Sequence, residues 1–409
     1  MNIHITDIEK KLIQETIFVS GSKSESNRLL ILQKLFPEIS IENLSDSDDT
    51  NHLQHALSTN DREINIGHAG TAMRFLTAFF ATQNNKTVVL SGSDRMHNRP
   101  ISVLVDALRD LGAEISYVEK EGYPPLQIVG KKLTKDSVQI NGNVSSQYIS
   151  ALLLIASSLP NGLTVELIGE ITSIPYINMT LSLLNQLGIE TQFQGQKIHV
   201  KAIDNVQEQT LTVESDWSSA SYFYSIAALS DVNSEIRLSS YKRESLQGDS
   251  VLSEIYKHFG IETVFEENTI VLKKVADAQK SPLVLDLIKA PDIAQTIAVS
   301  CFAVGVGCDL TGLHTLKIKE TDRLEALKAE LTKLGGQISV TDHSLHLESS
   351  SGINSNIAIE TYHDHRMGMA FAPLGMRVPV EIIDANVVTK SYKSFWTDLQ
   401  QIGFQFIKK

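Results

Sequence analysis

The sequence contains an internal repeat, and this repeat limits the possible folds more than any other feature. A run typical of an amphipathic helix ends in Leu, Ile or Phe, and a glycine and a stretch of alternating polar residues follow. This phrase recurs about every 70 residues, around Gly112, Gly188, Gly260, Gly335 and Gly403. Because glycine enters the left-handed region at little steric cost, it commonly ends helices. We therefore expect a positive φ at each of the five.

A second phrase recurs in phase with the first and indicates buried helices. Small or polar residues open a run that is apolar on every face, and a helix of that kind is normally buried in a core. The six runs begin at Ser22, His68, Ser145, Ser218, Pro291 and His363. Amphipathic helices lie between them, and the clearest starts at Thr321.

Together the two phrases predict six α/β repeats of about 68 residues, each with the order βαβαββ. The first repeat is trimmed, because residues Glu63 to Ile66 offer one short strand and the leucine–glycine phrase is missing there. Symmetry divides the repeats three and three near Ser215. A single solenoid of six repeats is the alternative, although solenoid repeats are usually shorter than these.

Composition excludes several classes of protein. The chain of 409 residues has 36 Lys and Arg against 48 Asp and Glu, a formal charge of −12. This balance argues against nucleic-acid and anionic-membrane partners, because both favour an excess of cations. No signal-peptide pattern opens the chain, and no apolar run approaches the roughly 20 residues that span a bilayer. The two cysteines, Cys301 and Cys308, lie in an apolar run and predict buried thiols in the reducing cytoplasm.

Cations gather at the predicted starts of the buried helices. Helix N-termini offer free N–H groups and the positive end of the dipole, so added cations indicate anion binding. These cations are Lys23, Arg28, Arg74 and Arg366 at helix starts, and Arg95, Arg99, Lys317, Lys319, Arg323 and Lys390 in connecting segments. Two carboxylates, Asp292 and Glu320, stand among them. Each is either an ordinary helix-start residue or a proton-transfer group, and both interpretations stay open at this point.

The motifs that carry these residues resemble the EPSP synthase (3-phosphoshikimate 1-carboxyvinyltransferase) family. They are SKSESNR, AGTAMR, RMHNRPI, SSQY, SIPYINMT, SSASYF, KETDR, DHRM and TKSY, which follow the family's order from residue 22 to residue 396. The resemblance implies a two-domain α/β fold of the enolpyruvyl transferase type, an inside-out α/β barrel with three βαβαββ repeats per domain. Residues 20–214 would form an excursion domain that includes the trimmed repeat. Residues 1–19 and 215–409 would form the discontinuous second domain, with the active site in the cleft between the domains.

The resemblance also implies a reaction. The enolpyruvyl group of phosphoenolpyruvate would move to the 5-hydroxyl of shikimate 3-phosphate, with release of phosphate, through a non-covalent tetrahedral intermediate. The product would be 5-enolpyruvylshikimate 3-phosphate, on the shikimate pathway to chorismate and the aromatic amino acids. No metal or other cofactor is implied. The expected partners are these two small anions alone, without nucleic acid or membrane, and the expected form is a cytoplasmic monomer.

Position within the motifs assigns expected roles to residues. By resemblance, Asp292 would be the base near the sugar hydroxyls and Glu320 the proton donor for the enol carbon. Lys23 would bridge both substrates and share in proton transfer. Shikimate 3-phosphate would contact Lys23, Ser24, Arg28, Ser145, Ser146, Gln147, Ser173, Asp292 and Lys319. Phosphoenolpyruvate would contact Lys23, Gly70, Arg95, Gln147, Arg323, Arg366 and Lys390.

Two alternatives fit less well. The sister enolpyruvyl transferases that act on UDP-N-acetylglucosamine usually have a catalytic cysteine in the excursion domain, where this sequence has none. A non-enzymatic anion-binding or scaffold protein with the same fold is the other alternative. It would not need Lys23, Asp292, Glu320 and Arg366 together.

Overall fold

A computed structural model of the protein describes residues 1–8, 11–171 and 174–409. The chain divides into two compact domains. The body domain comprises Met1–Ser20 and Glu214–Lys409, and the excursion domain comprises Gly21–Val213. The excursion domain is thus one residue shorter at each end than the expected range of 20–214.

The described residues form 22 strands and 12 α-helices. The strands are β1 (Ile3–Ile8), β2 (Gln14–Ile17), β3 (Ile39–Glu42), β4 (Glu63–Asn65), β5 (Thr87–Ser91), β6 (Glu114–Tyr117), β7 (Leu126–Val129), β8 (Ser137–Asn141), β9 (Leu163–Ile168), β10 (Thr191–Gln194), β11 (Lys197–Val200), β12 (Gln209–Thr212), β13 (Glu235–Ser239), β14 (Ile261–Glu266), β15 (Thr269–Lys274), β16 (Leu283–Asp286), β17 (Cys308–Thr311), β18 (Ile338–Val340), β19 (Leu345–Leu347), β20 (Ile357–Ile359), β21 (Val380–Ile382) and β22 (Phe404–Lys408). The helices are α1 (Lys23–Leu35), α2 (Asp48–Ser58), α3 (Gly70–Thr82), α4 (Ser102–Asp110), α5 (Ser146–Ala156), α6 (Ile174–Gln186), α7 (Trp217–Leu229), α8 (Leu252–Ile255), α9 (Ala294–Val304), α10 (Arg323–Lys333), α11 (His365–Phe371) and α12 (Phe395–Ile402).

Five four-stranded sheets in the described residues show the predicted repeat. In the sheet ordered β4-β5-β7-β6, the first pair is parallel and the other two pairs are antiparallel. Helix α3 connects β4 to β5 and α4 connects β5 to β6, which gives the order βαβαββ. The sheets β10-β11-β9-β8, β14-β15-β13-β2, β16-β17-β19-β18 and β20-β21-β1-β22 have the same arrangement of parallel and antiparallel pairs.

The sixth sheet is the trimmed one and has two strands. Strands β3 and β12 pair in parallel, although most of the excursion domain, from α2 to β11, separates them in the sequence. In the body domain, the two N-terminal strands also pair with strands that are distant in the sequence. Strand β2 pairs with β13, and β1 pairs with both β21 and β22. Strands distant in sequence therefore complete three of the six sheets.

The repeat glycines end their elements as expected. Their φ angles lie between 73° at Gly260 and 113° at Gly403, with Gly112, Gly188 and Gly335 between these values. This confirms the prediction from the leucine–glycine phrase, because an L-residue rarely adopts such angles.

Buried helices form the centre of each domain. In the excursion domain α1, α3 and α5 pack against one another, and in the body domain α9 packs against both α7 and α11. Side-chain hydroxyl groups of α7 and α9 form hydrogen bonds with one another. Ser221 Oγ lies 3.0 Å from Thr296 Oγ1, and Ser300 Oγ donates to Ser225 Oγ at 2.9 Å. Both cysteines are free and buried, as predicted. None of the helices in the described part of the chain is both long and apolar enough to cross a membrane.

Candidate active site

Arg323 is the centre of a charged cluster in the body domain. It is the first residue of α10, and its side chain is 2% exposed. Its Nε donates to Asp364 Oδ2 at 2.7 Å, its Nη1 to Asp292 Oδ1 at 2.9 Å, and its Nη2 to Glu320 Oε2 at 2.8 Å. One guanidinium thus joins three carboxylates. Charge-assisted hydrogen bonds of this kind fix geometry strongly when buried.

Three further cations balance these carboxylates. Lys390 Nζ donates to Glu320 Oε1 at 2.7 Å. Lys319 Nζ lies 3.4 Å from Asp292 Oδ1, and Arg366 Nη2 lies 3.4 Å from Asp292 Oδ2. The structure therefore brings together all six body-domain residues that the sequence assigned: Asp292, Lys319, Glu320, Arg323, Arg366 and Lys390.

Local structure explains how these side chains are aimed. Asp322 caps α10 by accepting from the backbone N–H groups of Leu324 and Glu325, and this cap fixes the start of the helix that carries Arg323. Asp292 lies in the 3-10 turn Pro291–Ile293, directly before α9. Its side chain makes no cap, so it is available to the cluster.

The segment before Arg366 adopts an uncommon backbone conformation. Tyr362 and His363 have φ angles of 53° and 55°, and Asp364 then caps α11 by accepting from Arg366 N at 2.9 Å. Fully buried Glu330 holds this segment, because Tyr362 Oη donates to Glu330 Oε1 at 2.6 Å. Left-handed conformations at non-glycine residues require such tertiary support and are common at functional sites.

The cations keep Asp292 ionised. Burial alone would raise the pKa of this carboxyl, but three nearby charges outweigh burial and hold its pKa well below the usual range. They are Lys319, Arg366 and Arg323. Asp292 is therefore held as a carboxylate, and the same cations make it hard to protonate.

Glu320 is ionised for a similar reason. Burial acts to raise its pKa, but Arg323, Lys390 and His365 hold the pKa well below the usual value. In this arrangement Glu320 is a proton acceptor. It can become a proton donor only if its cations find another anion.

Arg28 is the buried cation of the excursion domain. Its guanidinium donates to Thr180 Oγ1 at 2.8 Å, to Ser150 Oγ at 2.9 Å and to the Ser24 carbonyl at 2.8 Å. Burial lowers the pKa of Arg28 to about 10. No described carboxylate lies within ion-pair distance of Arg28, so neutral groups accept its hydrogen bonds and the charge of Glu25 acts on it only from farther away. Such a cation is suited to an incoming anion.

The other predicted residues of the excursion domain lie at helix starts. Lys23 opens α1 and its Nζ is 3.7 Å from Asp49 Oδ2. Ser145 caps α5, Ser146 begins it, and Gln147 Nε2 donates to Thr71 Oγ1 at 3.2 Å in the first turn of α3. Ser173 lies outside the described residues.

Gly70 begins α3, and the cation beside it is Arg99. A Cβ atom at Gly70 would lie 2.4 Å from Arg99 Nη1, so the absence of a side chain lets the guanidinium reach the helix start. Arg74 lies behind this start, with Nη1 donating to the Gly70 carbonyl at 3.0 Å. Burial, and next the charge of Arg99, lower the pKa of Arg74 to about 10. Arg95 is exposed, and no contact joins it to Gly70 in the described residues.

Sequence reasoning did not single out Asp364, and it counted Arg99 among the cations without assigning it to a substrate, yet the structure brings both to these clusters. Asp364 is the first residue of the DHRM motif, and its position directly before a helix start is the feature that could have indicated a role in the cluster. Arg99 was visible in RMHNRPI, but the motif has an arginine at each end. Only the turn Met96–Asn98 decides which arginine lies against Gly70.

Comparisons with known proteins identify the family. Residues 55–399 match the family model described as EPSP synthase (3-phosphoshikimate 1-carboxyvinyltransferase). A 3-phosphoshikimate 1-carboxyvinyltransferase from Bacteroides fragilis is 44% identical over 396 residues, which cover 96% of both chains. The protein of that name from Haemophilus influenzae is 33% identical over 424 aligned residues, covering 95% of this chain and 96% of the relative.

The fold is also similar to solved structures. An EPSP synthase from Acinetobacter baumannii superposes with a TM-score of 0.82 and covers 99% of each chain, at 20% sequence identity. This likeness supports the two-domain enolpyruvyl transferase fold. The family match and the similarity to curated relatives over nearly the whole chain go further: the chain belongs to the EPSP synthase family.

Proposed function

We propose that this protein transfers the enolpyruvyl group of phosphoenolpyruvate to the 5-hydroxyl of shikimate 3-phosphate and releases phosphate. This is the reaction of its family, on the shikimate pathway to chorismate and the aromatic amino acids. The cluster around Arg323 is the observation that carries the proposal. It offers four cations to acidic substrates and holds two carboxylates that can move protons.

Asp292 is suited to act as the base. Its cations keep it ionised, and substrate anions that engage those cations would raise its pKa, so that it can take the proton of the 5-hydroxyl as that oxygen attacks C2 of the enol. Lys319 and Arg366 both contact this carboxylate. In the proposal these cations also hold the acceptor phosphate and phosphoenolpyruvate respectively, so that base and substrates share a common set of charges.

Glu320 is suited to give a proton to C3 of the enol once phosphoenolpyruvate is bound. Its two hydrogen-bonded cations, Arg323 and Lys390, are also the expected ligands of that substrate. The substrate's carboxylate and phosphate would compete for them and weaken their hold on Glu320. The pKa of Glu320 should then rise, and the same group can remove a C3 proton when the tetrahedral intermediate loses phosphate.

The excursion-domain residues are proposed to hold the same two substrates. Arg28, with no anionic partner among the described residues, would bind the carboxylate of shikimate 3-phosphate. Lys23 would bridge both substrates. Arg99 at the start of α3 joins Gly70 and Arg95 as a proposed phosphoenolpyruvate ligand. The remaining expected ligands of shikimate 3-phosphate are Ser24, Ser145, Ser146, Gln147 and Ser173.

A phosphate-release assay tests the function. Release should require both phosphoenolpyruvate and shikimate 3-phosphate. Release with UDP-N-acetylglucosamine in place of shikimate 3-phosphate would instead indicate the sister transferase. Binding of either acid without turnover would indicate a non-enzymatic anion-binding protein.

A matched pair of variants tests the role of Glu320. Glu320→Gln should lower kcat by about 100-fold. Its dissociation constant for shikimate 3-phosphate should stay close to the wild-type value. Glu325→Gln makes the same chemical change in the first turn of α10, at a side chain that is 62% exposed, and should leave kcat unchanged. Equal activity in the two variants would remove Glu320 from the mechanism.

We also propose that the protein acts as a monomer in the cytoplasm, where its two buried thiols would stay reduced. Light scattering on an eluting size-exclusion peak should give a mass near 45.1 kDa. A mass of twice that value would contradict the monomer.

A further inference from the structure

Glu330 is a buried carboxylate outside the Arg323 cluster that neither the sequence motifs nor the proposed mechanism uses. It is in α10, about two turns after Arg323, and its side chain is 0% exposed. Lys333 Nζ donates to both of its oxygens at 2.8 Å, Tyr362 Oη donates to Oε1 at 2.6 Å, and Glu360 N donates to Oε2 at 3.3 Å. A buried charge is costly unless it is paired and hydrogen-bonded, so this carboxylate ties residues 360–362 firmly to α10.

The same segment is attached to α10 at a second point, inside the cluster. Arg323 begins α10, and its Nε donates to Asp364 Oδ2 at 2.7 Å. Because Arg323 and Glu330 are about two helical turns apart, they lie on the same face of α10. Two contacts therefore hold the segment along this face, one from Tyr362 to Glu330 and one from Arg323 to Asp364.

Between these two contacts the backbone has a conformation that requires support. Tyr362 and His363 have φ angles of 53° and 55°, which are rare for residues other than glycine and persist only where the surroundings fix them. His363 Nδ1 lies 3.0 Å from Asp384 Oδ2, but the histidine side chain is 82% exposed, and exposed contacts of this kind contribute little. The buried contact between Tyr362 and Glu330 therefore provides most of the support.

The residues that follow the left-handed pair belong to the proposed substrate site. Asp364 caps α11 by accepting from Arg366 N at 2.9 Å, and Arg366 Nη2 lies 3.4 Å from Asp292 Oδ2. The conformation of the pair thus determines where α11 begins and where Asp364 meets Arg323. Arg323 and Arg366 are both proposed ligands of phosphoenolpyruvate.

We propose that Glu330 is a positioning residue for the phosphoenolpyruvate site, which acts through Tyr362 to hold Arg323 and Arg366 in place for that substrate. The inference rests on the proposed function. Without the contact, the left-handed pair can relax towards common backbone angles, and Asp364 and Arg366 lose their fixed positions. Phosphoenolpyruvate would then have to order these groups as it binds, which lowers its affinity but leaves the bound state nearly unchanged.

Tyr362→Phe tests this proposal, because the two side chains differ by one hydroxyl group. KM for phosphoenolpyruvate should rise at least about fivefold, whereas kcat and KM for shikimate 3-phosphate should each change by less than about twofold. Tyr224→Phe is the matched control, since Tyr224 Oη lies 2.7 Å from Thr263 Oγ1 in the same domain. This control should keep all three wild-type values.

Variants of Glu330 test whether it acts through Tyr362. In Glu330→Gln the amide still forms a hydrogen bond with the phenol in either orientation, so KM for phosphoenolpyruvate should stay within about twofold of the wild type. Glu330→Met removes the partner and should raise this KM about as far as Tyr362→Phe does. Combining Glu330→Met with Tyr362→Phe should add less than about a further twofold, because both changes remove the same contact.

Three kinetic results would overturn the proposal. The first is the same KM for phosphoenolpyruvate in Tyr362→Phe and Tyr224→Phe. The second is an equal rise in KM for both substrates in Tyr362→Phe, which would indicate a general structural role. The third is full multiplication of the two effects in the double variant, which would show that Glu330 acts by another route. Absence of wild-type turnover with both substrates is a different result and would contradict the proposed function itself.

Hydrogen exchange followed by mass spectrometry tests the same contact without turnover. Asp364 N donates to the Thr361 carbonyl at 2.8 Å, and Arg366 N donates to Asp364 Oδ1. Peptides that contain these two amides should exchange at least about threefold faster in Tyr362→Phe than in the wild type. The same peptides should exchange at the wild-type rate in Tyr224→Phe. Unchanged exchange in Tyr362→Phe would also overturn the proposal.

Discussion

Gln295 offers a sharp test of how buried polar groups act in the body domain. It is in the first turn of α9, three residues after Asp292, and is 0% exposed. Neither its Nε2 nor its Oε1 has a hydrogen-bond partner among the described residues. Both ends of the amide lose water on folding and gain nothing in return. We therefore predict that Gln295→Met stabilises the protein.

The size of the effect follows from these two atoms. Leaving one buried polar group unsatisfied costs about 1–3 kcal/mol. Methionine is also unbranched, and its flexible thioether fits a site shaped by glutamine. Repacking around a slightly different shape costs less than about 1.5 kcal/mol. Removing both orphaned ends should therefore raise the free energy of unfolding by about 1–3 kcal/mol.

Tryptophan fluorescence during urea unfolding measures this change in the correct domain. The sequence has two tryptophans, Trp217 and Trp396, and both lie in the body domain with Gln295. With an m-value of about 2–3 kcal/mol per molar urea, the midpoint should rise by about 0.3–1.5 M. Gln400→Met is the matched control, because Gln400 is exposed on helix α12 of the same domain. Its midpoint should not move by more than about 0.2 M.

An unchanged or lower midpoint in Gln295→Met would refute the reasoning. It would mean that the amide is satisfied in solution, for example by a bound water. An equal increase in the Gln400→Met control would attribute the gain to methionine itself and not to burial.

Three other outcomes are expected from the described contacts. Arg28→Ala should raise KM for shikimate 3-phosphate about tenfold or more, with a smaller effect on KM for phosphoenolpyruvate; equal effects on both would contradict the proposed carboxylate contact. In steady-state kinetics, Arg99→Ala should raise KM for phosphoenolpyruvate by a factor at least about five times larger than Arg95→Ala does, because only Arg99 lies against Gly70. The reverse order would indicate that Arg95 is the ligand of phosphoenolpyruvate. Lys274 is buried, and burial lowers its pKa from 10.5 to about 8, so the unfolded state binds more protons between these values. Between pH 8 and pH 10.5 the free energy of unfolding of the wild type should therefore rise by about 2 kcal/mol relative to that of Lys274→Met, as measured by urea titrations. A constant difference between the two proteins would show that the pKa of Lys274 is not shifted.

Sequence patterns alone predicted the repeat and selected most residues of the charged cluster. Local chain chemistry was enough for the repeat, because glycine at Gly112 or Gly260 ends a helix whatever surrounds it, and a wholly apolar run has to be buried. The motifs KETDR, DHRM and TKSY were enough to select Glu320, Arg323, Arg366 and Lys390, and Asp292 stood out at the start of a predicted buried helix. These five do lie together in the body domain.

Only the tertiary structure decided which strands pair and which charges meet. Nothing in residues Gln14 to Ile17 indicates that they pair with β13, more than two hundred residues away, or that β12 returns to β3. A strand's own sequence defines its faces but not its neighbour, because backbone hydrogen bonds are the same for any partner. In the same way, KETDR and DHRM do not state that Arg323 joins Asp364 to Asp292. Pairing between distant charges depends on distance and burial, and the packing of α7, α9 and α11 sets both.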